Sequence, residues 1–448
     1  MAVVRIEVGA SVLAVALALP LIGCGDEKVD RLSGWKRHFG PHAQNHALAV
    51  GADGRIAIAG NVVGPVDFGA AGVIEQSGSR RGFVAMLDES GQPIWTFATD
   101  ASHPGDVAGF DAVTVDPAGN VFALGVASFG TNVGGEEVPP SGYVVALSVS
   151  GKPIWKQLIV NATGGYPFNP VNTGFDIAVD ASGNVFVAAA CFDAAKVGQI
   201  ETSPPPIPHP GAWPYLCLFA LDPQGAPRWG RAFTADWTFG TPRPKLVVGP
   251  NGHLYVAGHA NNQMDLGSGI TPTPGMNAAY VLALDAEGEV RWSRVFGGTI
   301  ADGGSLAIDP TGRLVATVIG GGDVVIEGEA LGGGAYVERS VLVWLDTDGA
   351  VLSRRVMSSS ILFDTVAAGS HGLALSGTVG KDTYAPTPVA HCRADGTACR
   401  IADLGETWDL YRGMAWHPDG DFVAGGSYFR EGNSVVDELS AVGKFRFE

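Results

Sequence analysis

Short apolar runs separated by glycine-bearing turns fill the chain from residue 33 to its end. The plainest case is Asp116-Pro-Ala-Gly119-Asn-Val-Phe-Ala-Leu-Gly125, a tight turn followed by a strand. The unit returns at Asp180-Ala-Ser-Gly183, at Asn251-Gly252 and at Asp309-Pro-Thr-Gly312, each followed by an apolar run. Recurrence at a long, nearly constant period marks a repeat architecture. Each unit reads strand, turn, strand, long loop, strand, turn, strand. In the first unit the strands are expected near Ala47–Val50, Ile56–Gly60, Gly82–Asp88 and Ile94–Phe97, which makes one four-stranded antiparallel sheet. Runs such as Val185-Phe186-Val187-Ala188 are apolar on both faces, whereas a sheet with one wet face alternates. Burial on both faces predicts sheets stacked around an axis, an all-β propeller of four-stranded antiparallel blades.

The first-turn glycine recurs at residues 54, 119, 183, 252, 312, 372 and 420, which predicts seven blades. The turn after the third strand carries Gly91, Gly151, Gly225, Gly288, Gly349 and Gly396. In the first four of these units a Trp follows four residues later, at 95, 155, 229 and 292. Glycine suits turns that need a positive φ, and the preceding Asp or Asn can bond local backbone. Calcium at these turns is disfavoured, because the loops are short and poor in carboxylates. The Trp residues are expected to fill the widening gap between blades. The last unit holds Trp416, Asp419-Gly420, Phe422–Gly426 and Glu438–Phe447, then ends without a fourth strand. The missing strand is found at the other end of the chain: Trp35-Lys-Arg-His-Phe-Gly40 matches Trp292-Ser-Arg-Val-Phe-Gly297 at four of six positions. Residues 33–40 are therefore expected beside the C-terminal strand, closing the ring and removing its exposed edges.

The repeated turn, apolar strand, Phe-Val-Ala-x-Leu-Asp strand, glycine and Trp resemble the bacterial β-propeller repeat called the SBBP repeat. The resemblance covers nearly all of residues 33–448 and weakens in blades five to seven, where Ser353 and Arg400 stand at the Trp position. It implies the fold and an extracytoplasmic setting, and no catalytic residue.

Composition narrows the partners. Hydrophobic residues make up 46% and charged residues 16%, which fits a large β core. The net charge of −17 repels phosphate backbones, so no nucleic-acid partner is expected.

Met1 to Gly23 reads as a secretion signal, with an apolar run at Val8–Leu21 too short to span a bilayer well. It ends in Leu21-Ile22-Gly23-Cys24, which resembles the bacterial lipobox. That resemblance implies cleavage before Cys24 and acylation of that Cys. The expected order is a lipoprotein signal at 1–23, a tether at 24–32 and the propeller at 33–448. A membrane is then the first partner, and the address is the bacterial envelope, with the outer membrane favoured and its side left open. The remaining cysteines number four, which in a secreted chain suggests disulfides. Cys392 and Cys399 flank a hairpin turn and are expected to pair. Cys191 and Cys217 fall on neighbouring strands of blade three, with buried thiols as the alternative to a second bridge.

The long loops between second and third strands, among them Asn61–Arg81, Ala127–Pro140 and Phe192–Trp213, are expected to gather on one face with the loops between blades. Variable loops on a rigid frame are the usual seat of binding. Tyr166, Phe168, Trp213, Tyr215, Trp237 and Phe239 concentrate aromatic surface there and are candidate ligand contacts, with capping of blade ends as the alternative. Ser203-Pro-Pro-Pro-Ile-Pro-His209-Pro210 is expected to be stiff and extended. His253 and His417 sit at tight turns on the opposite face and are expected to be solvated. Neither a Gly-x-Ser-x-Gly elbow nor a His-Glu-x-x-His motif occurs, so no catalytic residue, metal or cofactor is assigned. Asp222 to Trp229 and Asp285 to Trp292 resemble the tryptophan-docking repeat of quinoprotein dehydrogenases. Their Asp–Gly interval is one residue short and the usual Thr is missing, so the likeness is read as shared blade packing. The sequence points to a monomeric, membrane-anchored scaffold for an envelope protein or glycan. The alternative is an envelope lyase, hydrolase or quinoprotein-like oxidoreductase.

Overall fold

A computed structural model of the chain describes residues 30–75, 79–101, 107–128, 131–161, 174–191, 194–202, 215–235, 244–267, 270–298, 300–321, 324–331, 338–357, 361–379, 387–405, 408–409, 413–430 and 437–448. They form a seven-bladed propeller of antiparallel four-stranded sheets. Strands are labelled a to d from the axis outward. The a strands are Ala43–Val50, Ala108–Val115, Gly174–Val179, Lys245–Val248, Ile300–Ile308, Ile361–Gly369 and Met414–Trp416. Successive a strands lie side by side around the axis. The apolar b and c strands, such as Val185–Cys191, are buried on both faces. Residues of neighbouring blades merge into continuous cores, as where Ala57, Val84 and Trp95 of blade 1 join Phe110, Val121 and Tyr143 of blade 2.

The last sheet is made from both ends of the chain. Leu32–Pro41 runs antiparallel to Asp437–Phe447, with Leu32 opposite Phe447, Gly34 opposite Phe445 and Trp35 opposite Lys444. The order inward is 32–41, 437–447, Phe422–Arg430 and Met414–Trp416. The Asp30 N–H also donates to Ile401 O, and the Glu448 N–H to Arg31 O, so Asp30 and Arg31 are tied to the ring ahead of the strand at Leu32.

One relationship recurs at five of the seven blade junctions. The d-strand indole N–H donates to a backbone carbonyl in the c–d turn of the next blade: Trp35 to Glu89, Trp95 to Val149, Trp155 to Pro223, Trp229 to Ala286 and Trp292 to Thr347. The ring lies flat on the glycine of that turn. At Gly151, with φ 78°, an added Cβ would sit 2.6 Å from Trp95. Glycine is thus required there twice, for its conformation and for the incoming indole.

Blade 5 has Ser353 at the Trp position, but the indole is supplied from directly across the strand pair. Trp344 on strand c is opposite Ser353, and its N–H donates to Ala394 O at 3.0 Å, over Gly396. Blade 6 has Arg400 instead. The c–d turn that Arg400 would meet is the chain break of blade 7, and its guanidinium binds Asp30 and the carbonyls of Phe447 and Glu448.

The b–c loops do not simply gather on one face. In blades 1–3 and 5 they fold back as small hairpins along the rim, at Val66–Asp67 with Val73–Ile74, Thr131–Val133 with Glu136–Val138, Ala195–Val197 with Ile200–Glu201, and Val325–Ile326 with Glu329–Ala330. In blade 4 the b and c strands themselves extend outward to the same place. Three of these excursions pair with the d strand of the preceding blade or the short strand Asp100–Ala101 just beyond it, Asn132 with Asp100, Lys196 with Val160 and Asp265 with Thr234. Each also plugs apolar side chains into a core between blades, such as Val133 and Val138, or Ala195 and Val197. The physical reason is the outer strand: left bare, it would present unpaired backbone groups and an open seam.

The a–b and c–d turns form the opposite, tight-turn face. Asp116 accepts the Asn120 N–H at 2.8 Å, and Asp180 accepts those of Ser182 and Asn184. These carboxylates are engaged by their own turns. His417 corrects the expectation of a solvated ring: it is 3% exposed. It takes the Asp position in the blade 7 turn, with Nε2 3.0 Å from Gly54 O of blade 1 and Nδ1 2.7 Å from Asp419. His253 is half-buried, 2.9 Å from Asn251.

Both expected cystine bridges are present. Cys191 and Cys217 are joined diagonally, since Cys191 is opposite Tyr215 and Cys217 opposite Ala189. Cys392 and Cys399 are joined across their turn, with Cα atoms 4.0 Å apart.

Candidate functional site

Closing seven inner strands leaves an axial channel of about 210 Å³. Much of its wall is apolar, including Leu48, Val113, Ile177, Leu246, Leu306 and Val366. Into this wall are set Asp111, Asp176, Lys245, Ser305 and Thr365, one from each of blades 2 to 6.

The backbone explains the placement. Pairing of strand a with strand b slips at one point in blades 1, 2, 3, 5 and 6, between Asn45 and Ala47, Phe110 and Ala112, Gly174 and Asp176, Gly303 and Leu306, and Phe363 and Thr365. A bulge re-aims a side chain out of the strand's alternation. The bulges fall at or beside His46, Asp111, Asp176, Ser305 and Asp364. Glycine on the partner strand makes room: a Cβ at Gly125 would meet Phe110 at 3.0 Å and the Tyr143 ring at 3.1 Å.

The polar groups form two sets. In blades 1 and 2, Asn61 Nδ2 lies 3.0 Å from both Gln44 Oε1 and His46 Nε2, and His46 Nδ1 lies 3.9 Å from Asp111. The Tyr143 phenol is pushed well up by burial, with the Asp111 charge adding to the effect. In blades 3 and 4, Asp176 accepts the Leu246 N–H at 2.8 Å. Burial raises the Asp176 carboxyl above its ordinary range, although Lys245 and the Leu246 and Ile177 amides pull the other way. The Asp176 carboxyl accepts and the Lys245 ammonium donates, so the wall offers both signs of hydrogen-bonding group. Among the described residues no cluster of three or more metal-ligating side chains occurs.

Sequence reasoning missed this site. Its signal was the dipeptide Phe-Asp at the start of three a strands, Phe110-Asp111, Phe175-Asp176 and Phe363-Asp364, a carboxylate placed in an otherwise apolar run. Of the six aromatic candidates, Tyr215 opens strand c of blade 3 and is half-buried opposite Cys191. Tyr166, Phe168, Trp213, Trp237 and Phe239 lie outside the described residues, as do Cys24 and Ser203–Pro210.

The fold makes the chain a seven-bladed propeller. No family description matches it, and no curated protein matches it by sequence. Among solved structures it is similar to a protein of unknown function from Dyadobacter fermentans, at 11% identity and a TM-score of 0.42 over 93% of this chain and 99% of that one. It is also similar to the polysaccharide lyase Uly1, at 9% identity and 0.45 over 90% of each chain. A third likeness is to YCF48 bound to a D1 peptide, at 8% identity and 0.43 over 94% of this chain and 100% of that one. At these scores the likenesses lend no weight to any activity.

Proposed function

We propose that the chain is a lipid-anchored propeller of the bacterial envelope that receives a protein or glycan partner on its loop face, around the polar mouth of the channel. One observation carries the reading: polar side chains from five successive blades, Asp111, Asp176, Lys245, Ser305 and Thr365, converge on the wall of one axial channel. The tight turns engage their own carboxylates, the indoles clasp the next blade, and the rim hairpins cover the outer strands. The channel polar groups converge on one opening, and the loops between blades are proposed to join them in recognition. Disulfides fit an oxidising compartment, the lipobox-like Cys24 supplies the anchor, and the SBBP-like repeat agrees with an extracytoplasmic address. The Tyr166–Phe239 aromatics are proposed as contacts at this mouth, and the propeller as a monomer.

The test is capture from envelope extract and a glycan array, comparing wild type with a variant carrying Asp111→Asn, Asp176→Asn and a Gly-Ser replacement of residues 203–214. Specific retention by wild type, lost in the variant, is the expected result. Equal retention by both would refute the proposed site.

One observation favours a second reading. Asp176, with its raised pKa beside Lys245, has the form of a general acid. Turnover of a polysaccharide by wild type, abolished in Asp176→Asn, would establish an envelope lyase or hydrolase. Uptake of pyrroloquinoline quinone with dye reduction by alcohols would instead establish the oxidoreductase alternative.

A further inference from the structure

From the point at which the chain enters the folded body, we infer that the lipid anchor holds the tight-turn face toward the bilayer and presents the loop face and channel mouth away from it. The inference rests on the anchoring at Cys24 proposed above. The entry point is fixed by several contacts. The Asp30 N–H donates to Ile401 O, its carboxylate meets Arg400 at 2.7 Å, and Arg31 O accepts the Glu448 N–H. All of these lie at the tight-turn end of the blades, where Phe447 opposite Leu32 takes the place of a c–d turn.

Chain length then decides the orientation. Asp30 follows Cys24 by six residues. Whatever their conformation, those residues reach at most about 20 Å. The strand beginning at Leu32 has 10 residues and runs to the opposite face at Pro41. At about 3.3 Å per residue it spans about 30 Å. An anchor of the shorter reach cannot turn the loop face onto the membrane that holds it. The tight-turn face also carries Asp53, Glu89, Asp180, Asp285 and Asp348 on its turns. Their repulsion from anionic headgroups acts within about 8–10 Å at physiological salt, so the face is held near the bilayer by the tether and not by adhesion. The partner at the channel mouth is then a soluble protein or a polymer lying beyond the anchoring bilayer, and not that bilayer's own headgroups.

The test uses the acylated protein in vesicles of phosphatidylethanolamine and phosphatidylglycerol carrying an acceptor dye on a headgroup. The native body cysteines are bridged, so an introduced thiol takes the donor dye. Glu89→Cys marks the tight-turn face of blade 1. Val63→Cys, at 49% exposure, marks the loop face of the same blade. Energy transfer from position 89 should exceed that from position 63 by about twofold, because Val63 lies beyond the Val62–Arg81 pair and Glu89 beyond the Ile56–Leu87 pair, so that about eight residues, or about 26 Å, separate them. Equal transfer, or greater transfer from position 63, overturns the orientation. Mass spectrometry of the N-terminal fragment reports separately on the anchor: absence of acyl chains on Cys24 overturns the anchoring reading itself.

Discussion

The guanidinium of Arg400 lies 2.7 Å from the carboxylate of Asp30, across 370 residues of sequence. The same group reaches the carbonyls of Phe447 and Glu448, so one side chain of blade 6 holds both segments that close the ring. At the other junctions an indole meets an intact hairpin turn. Here the turn is cut, and a cation that can bind several oxygens replaces the ring.

Arg400→Ala should therefore loosen the closure without unfolding the propeller. The pair is partly exposed, so the loss should be small, about 1 kcal/mol or less and weaker in high salt. Local opening is the sharper readout. Amide exchange should quicken in residues 31–36 and 440–447 and stay unchanged in blades 2–4. Hydrogen bonding to Arg400 holds the Asp30 carboxyl below its usual 3.8. A depressed folded value means the contribution is complete above that pH and is lost as pH falls through the folded value. The same amides should thus quicken in acid, below about pH 4, in wild type but not further in Asp30→Asn.

The indole of blade 5 should be movable. Trp344 is 1% exposed and clasps blade 6 from strand c. Trp344→Ser should cost about 3–5 kcal/mol in denaturant unfolding, as for other buried aromatics. Adding Ser353→Trp, directly opposite on strand d, restores the arrangement of blades 1–4 and should recover at least half of the loss. No recovery would mean that the clasp depends on more than an indole at that junction.

Asp176 should reduce stability at neutral pH. Burial raises its pKa in the folded state, so charging it opposes folding. The raised folded value places this cost above the ordinary carboxylate pKa of 3.8, and the cost fades as pH falls toward it. Asp176→Asn keeps an acceptor for the Leu246 N–H and should raise Tm at pH 7, with the gain shrinking toward pH 4. A gain independent of pH would show that ionisation is not its cause. Retention of a destabilising carboxylate is expected where a binding site needs it.

The two bridges should differ in worth. Cys191–Cys217 spans 26 residues and Cys392–Cys399 spans 7. Loop-closure entropy gives about 3.5 and about 2.3 kcal/mol respectively. Unfolding of the double-alanine variants checks the order, and the reverse order would show that native packing outweighs chain entropy.

The seven turn glycines, the two-faced apolar strands and the match of Trp35–Gly40 to Trp292–Gly297 established the ring, its blade number and its closure from the sequence alone. Those features are local or repeated, and each repeat confirms the next. The pairing of Cys392 with Cys399 was legible for the same reason: a short turn leaves them little freedom.

What sequence left open depends on groups brought together from distant turns. Ser353 looked like a lost Trp, because nothing in the linear chain shows that Trp344 faces the same gap. His417 looked solvated, because the carbonyl that buries it belongs to Gly54. Residues 131–138 looked like a binding loop until the bare edge of blade 1 and the core between blades 1 and 2 claimed them. The carboxylates of Asp111 and Asp176 became a site only when their bulged strands met around one axis. The sequence determined the repeating unit and how many copies close. Only the tertiary structure decided which side chains meet at the axis, the rim and the junctions, because those contacts are fixed by the geometry of closure and not by neighbours along the chain.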